Sequence, residues 1–353
     1  MRRYDVIVIG AGPGGCSTAF FLKHFSKDRL DVLLLERLDD ARYLKYHRMC
    51  GEGISKRAFR DIAPIEPTGV THHIHRIFQH WPGNKVTEAK VEGYIIDRAK
   101  FLRSIMEKFE KMGGHIRQER ATSVVSTENG FSIRCYSGEE YQSNYLVGAD
   151  GAYSLVRKDI FGLCPPTKIV FDQYIVDQQT EKDTLHFLYD ENYKGSYSWI
   201  FPSVEGSRIG FPFGTKAIPE DARERHRRPI VFGKLDTIVK GNACIVGDAA
   251  CQINPLTLGG MRASLVAGKM AAKAISKADP LSYQRHWRRS RLSSKTFIET
   301  YLILRDMTNE DLIRLLGGVE HQMTTSRAII QYIRNKNYRR VFWGFLFSLR
   351  NGW

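Results

Sequence analysis

Gly10, Gly12 and Gly15 stand in the spacing Gly-x-Gly-x-x-Gly, with Pro13 and Gly14 inside it. That spacing holds a pyrophosphate when it follows a strand and opens a helix. The first glycine permits a tight turn, the second admits the phosphates to the backbone, and the third lets helix and strand pack closely. The N–H groups of the helix start then point at the negative charge. Glu36 follows Gly15 by 21 residues, where a carboxylate can accept hydrogen bonds from ribose hydroxyls. An acid instead of an arginine argues against a 2′-phosphate. The first chemistry in the chain is therefore capture of a dinucleotide, either NAD or FAD.

The elements needed to position these residues are readable around them. Residues 4–9 form a β-branched run, the stretch to about Lys27 reads as a helix, and residues 31–36 read as a second buried strand. Together they predict a βαβ unit. Residues 96–113 have the apolar spacing of an amphipathic helix that stops at Gly113-Gly114. Residues 121–147 alternate as strands about the turn Glu128-Asn129-Gly130. Residues 145–151 predict a strand entering a glycine turn, 167–214 a strand-rich stretch, 243–250 a buried strand, and 259–276 an Ala-rich helix. Residues 281–353 read as helical and basic, and 37–100 as irregular.

The 353 residues carry 53 Lys plus Arg against 38 Asp plus Glu, a formal charge of +15. With 42% apolar residues the chain can build a core and is not a disordered one. It has no run of about 18 apolar residues, which argues against a spanning helix. No secretory pattern precedes the first strand, and the six Cys (16, 50, 135, 164, 244 and 251) contain no Cys-x-x-Cys pair. A reduced cytoplasmic protein is expected, without a disulfide frame. His72, His73 and His75 have no acid or Cys at ligand spacing, so a strand or loop surface is expected there and no metal site. No zinc finger or RNA-binding signature is present, which disfavours nucleic acid. An anionic membrane surface or an acidic electron-donor protein would account better for the charge.

Two later segments narrow the cofactor. GADGAYSLVR (148–157) and GDAACQINPLTLGG (247–260) resemble segments of the FAD-dependent oxidoreductase superfamily that holds the aromatic hydroxylases and the geranylgeranyl reductases. The resemblance implies FAD. It implies Asp248 at the ribityl or neighbouring hydroxyls and Asp150-Gly151 near the pyrophosphate. It also implies that Pro255, Gly259, Gly260 and Met261 set a helix start at the flavin ring, where N–H groups stabilise the charge of reduced flavin. Arg98 resembles the superfamily arginine that precedes a helix and reaches the cofactor, and Arg48 lies on the segment that passes the flavin. Arg37, Val124, Cys50 and Gly51 complete the expected cofactor set. Arg157 reads either as an internal ion pair or as a solvated helix charge.

Within the superfamily, MCGEGIS (49–55) looks like the Cys-Gly-x-Gly segment of the geranylgeranyl reductases. YKGSYSWIFPSVEGSRIGF (193–211) looks like their Tyr-x-Trp-x-Phe-Pro element, here Tyr197, Trp199, Phe201 and Pro202, which forms a substrate wall in that family. Leu258 stands where the family usually has a glycine. The resemblance covers about residues 4–276. With the element order it implies an α/β fold: a Rossmann-like FAD-binding domain (1–80 with 96–165 and 235–280), an inserted β-rich substrate domain (81–95 with 166–234) and a basic helical C-terminal region (281–353).

The activity implied is reduction of carbon–carbon double bonds of an isoprenoid or prenyl lipid, with hydride from FAD. NAD(P)H or a ferredoxin-type carrier would be the external reductant. A flavin monooxygenase or halogenase acting on a small organic substrate is the alternative, and a flavin-carrying binding protein is a third reading. Cys50 either donates a proton or orients the alkene, or is a small buried apolar residue. Tyr197, Trp199 and Phe201 share a strand face, as a lipid pocket wall or as plain sheet core. Residues 334–353 mix Arg and Lys with Phe and Trp. They read either as a peripheral anchor on the inner face of the membrane or as a helix packed on the body.

Overall fold

The computed structural model describes residues 2–27, 29–48, 50–316 and 338–351. The chain opens with β1 (Arg2–Ile9), α1 (Pro13–Ser26), β2 (Val32–Glu36), α2 (Asp40–His47), β3 (Gly53–Ser55) and α3 (Lys56–Asp61). A long hairpin, β4 (Val70–Trp81) and β5 (Lys85–Ile96), leads into α4 (Arg98–Lys111), β6 (His115–Gln118) and the meander β7 (Ala121–Thr127), β8 (Gly130–Cys135) and β9 (Glu140–Gly148). Next come β10 (Thr167–Val176), β11 (Thr184–Leu188), β12 (Ser198–Ser203), β13 (Gly206–Pro212), β14 (Ala222–Phe232), β15 (Val239–Lys240) and β16 (Ala243–Ile245). Helices close the chain: α5 (Met261–Ile275), α6 (Pro280–Arg289), α7 (Lys295–Arg305), α8 (Asn309–Leu316) and α9 (Arg339–Asn351).

Two sheets divide the work. The first has the order β15-β16-β9-β1-β2-β6, with β8 joining β9 and β7 joining β8. β1 is parallel to both β2 and β9, and Val6, Ile7 and Val8 are fully buried. A strand covered on both faces must be apolar throughout, which is why this run lacks alternation. α1 and α5 cross on this sheet so closely that a Cβ on Gly268 would lie 2.6 Å from the Gly14 carbonyl oxygen. The Ser17 hydroxyl donates to the Leu265 carbonyl at 2.6 Å across the same crossing. That contact ties the glycine turn before α1 to the loop before α5, and so brings two distant motifs to one place.

The second sheet has the order β14-β10-β13-β12-β11-β4-β5-β3 and is antiparallel except where β11 runs parallel to β4. It is the β-rich lobe expected from the sequence, on an α/β cofactor lobe of the Rossmann type. Its membership differs from the expected boundary at residue 80. β3 and β4 both pair with β5, so 53–55 and 70–80 join the β-rich lobe, not the 1–80 cofactor segment. The stretch 37–100 also contains two helices and a hairpin of two 12-residue strands, not irregular chain. Its strands hide from a periodicity reading because few residues point inward: Ile74, Ile77 and Trp81 are buried, while His73 and His75 are exposed.

The described C-terminal helices pack on the body. Val341 and Phe342 of α9 join Phe297 and Leu304 of α7 in one apolar cluster, and a Cβ on Gly344 would lie 2.1 Å from the Thr300 hydroxyl. Phe345 meets Trp81 and Tyr189 edge-on. The apolar face of this helix is therefore spent on packing, with Trp343 still half exposed. Arg334, Lys336 and Trp353 lie outside the described residues. Among the described residues no helix is long and apolar enough to cross a membrane.

Candidate active site

A cavity of about 990 Å³ runs from the glycine turn to the inner face of the second sheet, at the upper end of the usual range for small-molecule sites. Gly10, Gly12, Pro13 and Gly14 line one end. Gly10 has φ +98°, and a Cβ there would sit 2.5 Å from the Ala149 carbonyl oxygen, so only glycine fits. Gly15 packs on Gly10 and does not line the cavity. A Cβ on Gly12 would meet no protein atom within 4 Å. Gly12 N-caps α1 without any side-chain cap, and Pro13 takes the first helical position. The α1 N–H groups are thus left to a ligand. The Glu36 carboxylate accepts from Ala11 N–H at 2.8 Å and Leu38 N–H at 2.9 Å, which clips it to the turn while it faces the cavity.

Beyond the turn lies a set of buried charges. Arg157 is 4% exposed and donates to the carbonyls of Ala152 (2.6 Å), Ala249 (3.0 Å) and Asp248 (3.3 Å). It is neither an ion pair nor a solvated charge: it fastens the 150 loop to the 248 loop. Asp150 spends its oxygens on the Ser154 hydroxyl (2.5 Å) and the N–H groups of Leu155 (2.6 Å) and Val156 (3.2 Å), capping the turn that carries Arg157. Asp248 lines the cavity. Burial raises its pKa, opposed by Arg228, Arg98 and Arg157. Arg98 lines it too, donating to the carbonyls of His47 (2.9 Å) and Tyr46 (3.4 Å). Arg228 stacks over Tyr46 at 4.3 Å. Burial, with Arg98 and Arg228 alongside, drives the pKa of His47 well below the ordinary imidazole value.

The Cys50 segment crosses the middle of the cavity. Glu52 is 3% exposed and has φ +60°, a region that costs a side-chain-bearing residue roughly 1–2 kcal/mol. Its carboxylate pairs with Arg208 and accepts from Arg98 N–H at 3.2 Å. Arg208 also donates to the Cys50 carbonyl at 3.2 Å, and Glu52 N–H donates to Cys50 Sγ at 3.3 Å. Burial raises the Glu52 pKa, with Arg208 pulling the other way. Gly51 lies against the aromatic wall: a Cβ there would be 2.6 Å from the Phe201 ring.

Tyr197, Trp199 and Phe201 all line the cavity and are 5–9% exposed, with Phe187 and Tyr189 beside them. They belong to a buried apolar cluster of the second sheet and also line the cavity. The Tyr197 hydroxyl donates to the Thr257 carbonyl, joining the wall to the loop before α5. Phe345, Ser348 and Leu349 of α9 line the same region. Leu258 adopts φ +48°, so the loop keeps a left-handed turn although glycine is absent.

Most expected site residues line this one cavity: Gly10, Gly12, Pro13, Gly14, Glu36, Arg37, Cys50, Gly51, Arg98, Asp150, Gly151, Asp248, Gly259, Gly260 and Met261 among them. Three besides Gly15 do not. Arg48 turns away to Glu205 at 2.5 Å and Glu224 at 3.8 Å. Val124, on β7, points into the core, and the wall is instead formed by 119–122 at the start of that strand. Pro255 is buried behind its loop, which presents Leu256, Thr257 and Leu258 instead. Reading by sequence missed His47, Glu52, Arg228 and Gln173. Two of these carry a local signal: Arg228 shares strand parity with Ile230, and Gln173 with Phe171, both of which line the cavity.

The buried nitrogens test whether a large polar ligand fits. His47 Nδ1, Trp199 Nε1 and His226 Nδ1 all belong to cavity-lining residues and have no partner within the described protein. Buried polar atoms are seldom left so, and three along one cavity suit a ligand rich in acceptors and donors. With the open glycine turn and Glu36, they fit a flavin dinucleotide.

Comparison with known proteins agrees. A family model described as an FAD binding domain matches residues 3–195. The chain is similar to digeranylgeranylglycerophospholipid reductase 2 of Methanopyrus kandleri, 29% identical with 91% of each chain covered. Among solved structures it resembles a geranylgeranyl bacteriochlorophyll reductase-like protein from Thermoplasma acidophilum, with TM-score 0.79 and 20% identity, covering 99% of this chain and 100% of the other. A flavin-dependent brominase shares the fold at TM-score 0.69 and 16% identity, covering 98% and 94%. By the match over more than half its length, the chain belongs to the FAD binding domain family, and its cofactor is FAD.

Proposed function

We propose that this chain is a reductase of carbon–carbon double bonds in an isoprenoid lipid. The observation that carries the reading is the continuity of one cavity, lined both by the glycine turn and Asp248 and by a wall of aromatic side chains. The name of the Methanopyrus kandleri relative supports the substrate class, a prenylated glycerophospholipid. FAD, when bound, supplies the two-electron transfer. The start of α1 and Gly12 would hold its pyrophosphate and Glu36 its ribose. The start of α5, Asp248 and Arg228 would hold its ring end. Tyr197, Trp199 and Phe201 hold the prenyl chain and exclude water. Cys50 gives its thiol proton to the second alkene carbon and regains one from solvent; the Glu52 N–H at 3.3 Å steadies the sulfur in between. NAD(P)H or a ferredoxin-type carrier returns the electrons. A lipid substrate and the exposed Trp343 support a peripheral position on the inner face of a membrane.

The test is anaerobic. Dithionite-reduced holoprotein is mixed with a geranylgeranyl lipid. Flavin reoxidation with a substrate mass gain of about two per double bond is expected from the two-electron stoichiometry. No anaerobic reoxidation, with oxygenated or halogenated product formed once oxygen is admitted, would replace this reading with the monooxygenase or halogenase one.

A further inference from the structure

A second pocket of about 670 Å³ opens beside the prenyl end of the main cavity and shares Arg262 and Leu349 with it. It is strongly basic. Arg57, Arg76, Lys90, Arg262 and Arg350 line it against Asp183 and Glu92. Two of the cations are already engaged: Arg76 with Asp183 at 2.9 Å and Arg262 with Asp61 at 2.6 Å. Among the described residues, Arg57, Lys90 and Arg350 form no ion pair; Glu92, the other acid of the pocket, turns to Lys56 at 3.4 Å.

The placement of these cations works against the fold. Lys90 lies directly opposite Arg76 in the β4–β5 register, and like charges opposed across strands are destabilising. The Arg57 guanidinium donates to the Arg350 backbone carbonyl at 2.7 Å, which holds Arg57 at the pocket that Arg350 also lines. A concave, like-charged surface concentrates its field on an incoming anion. Guanidinium groups match phosphate oxygens in number and plane. Arg262 and Leu349 line both pockets, so the basic pocket adjoins the apolar end of the cavity.

We propose that this pocket seats the phosphate headgroup of the substrate, so that the enzyme takes an anionic prenyl amphiphile in preference to a neutral one. The proposal rests on the prenyl-lipid reading of the main cavity. Arg57, Lys90 and Arg350 supply the unpaired charge; Arg76 and Arg262, held by their carboxylates, shape the walls.

The test uses the full-length FAD holoprotein and three probes: geranylgeranyl monophosphate, geranylgeraniol and inorganic phosphate. Binding is followed by tryptophan fluorescence at low salt, with competition for inorganic phosphate. The monophosphate is expected to bind at least about tenfold tighter than the alcohol, a difference of about 1.4 kcal/mol. Arg57→Glu with Lys90→Glu is expected to abolish that preference while still binding both ligands. Lys90→Glu alone, at an exposed position, serves if the double variant does not fold. A preference unchanged in the variants overturns the proposal. So does inorganic phosphate binding as tightly as the prenyl phosphate, which would mark a free-anion site. If neither prenyl ligand binds the wild-type holoprotein, the prenyl-lipid reading itself fails and the headgroup site falls with it.

Discussion

Replacing Arg208 with methionine removes the cation of a buried pair while keeping much of the side-chain volume. Arg208 and Glu52 expose only 9% and 3% of their side chains, so the carboxylate left behind has almost no water to ionise against. Deleting one member of such a pair costs about 3–5 kcal/mol, a large part of the 5–15 kcal/mol that holds a typical protein folded. Burial already raises Glu52 above its ordinary 4.5, and Arg208 is the largest influence opposing that rise. Without Arg208 the folded-state pKa climbs further. Between 4.5 and that folded value the folded chain keeps a proton that the unfolded chain has released, so stability falls as pH rises. The loss in Arg208→Met is therefore expected near full size at pH 8 and reduced toward pH 5. Glu52→Gln in the same background removes the stranded charge and returns most of the loss. Urea denaturation of the wild type, both single variants and the double variant at pH 5.5 and pH 8 measures all of this. A loss below about 1 kcal/mol, or one of equal size at both pH values, refutes the reasoning.

The other expectations are simpler. Gly12→Glu should fold normally, since a Cβ there meets no protein atom within 4 Å, yet lose FAD because a carboxylate takes the place of the pyrophosphate; the flavin-to-protein ratio after desalting reads it, and retained flavin counts against the phosphate assignment. Cys50→Ala should lower the rate of alkene reduction by about 10²–10⁴-fold if the thiol is the proton donor and leave flavin content unchanged; a rate within threefold would return Cys50 to packing. Gly51→Ala places a Cβ 2.6 Å from the Phe201 ring and should cost about 1–3 kcal/mol of stability by overpacking, checked by thermal unfolding. His47 has a folded-state pKa well below 6.5, so the unfolded chain binds the proton first and stability is lost as pH falls below about 6.5. His47→Gln should flatten that acid limb, and an unaltered limb would assign it to other groups.

What could be read from the sequence was local, and what could not was brought together over long separations. The βαβ unit, the glycine turn and Glu36 lie within 36 residues, and each has a conformational reason that a sequence displays: φ +98° at Gly10, a buried parallel strand in β1, a helix opened by Pro13. The aromatic wall was visible because strand alternation puts Tyr197, Trp199 and Phe201 on one face, although only the fold decides that this face is a pocket. Glu52 gave no sign. Its partner Arg208 is 156 residues away, and nothing near position 52 announces a buried acid. Arg48 and Pro255 were on the right segments with the wrong side chains, because a family position fixes the path of a loop better than the direction of one residue. Leu258 shows the opposite case. The expected glycine is absent, yet φ +48° shows that the backbone turn survives, since neighbours such as the Tyr197–Thr257 hydrogen bond hold it.

Two sets of cations play different parts in this structure. Arg98, Arg157 and Arg208 are 4–7% exposed, and each ends on protein oxygens: carbonyls of 46 and 47, of 152, 248 and 249, and the Cys50 carbonyl with Glu52. They cross-link loops that the two sheets bring near one another but cannot fasten. A guanidinium suits this because it stays charged and offers five donors in a plane, enough to hold two or three acceptors at once. These arginines are consumed by the architecture and can attract little from outside. The second set sits at the rim of the basic pocket, where Arg57, Lys90 and Arg350 have no carboxylate among the described residues. This group has charge to offer a partner, and it is gathered into one concave site beside an apolar cavity. A phosphate on the end of a prenyl chain answers that geometry better than a nucleic acid, which would need basic residues spread along a backbone track.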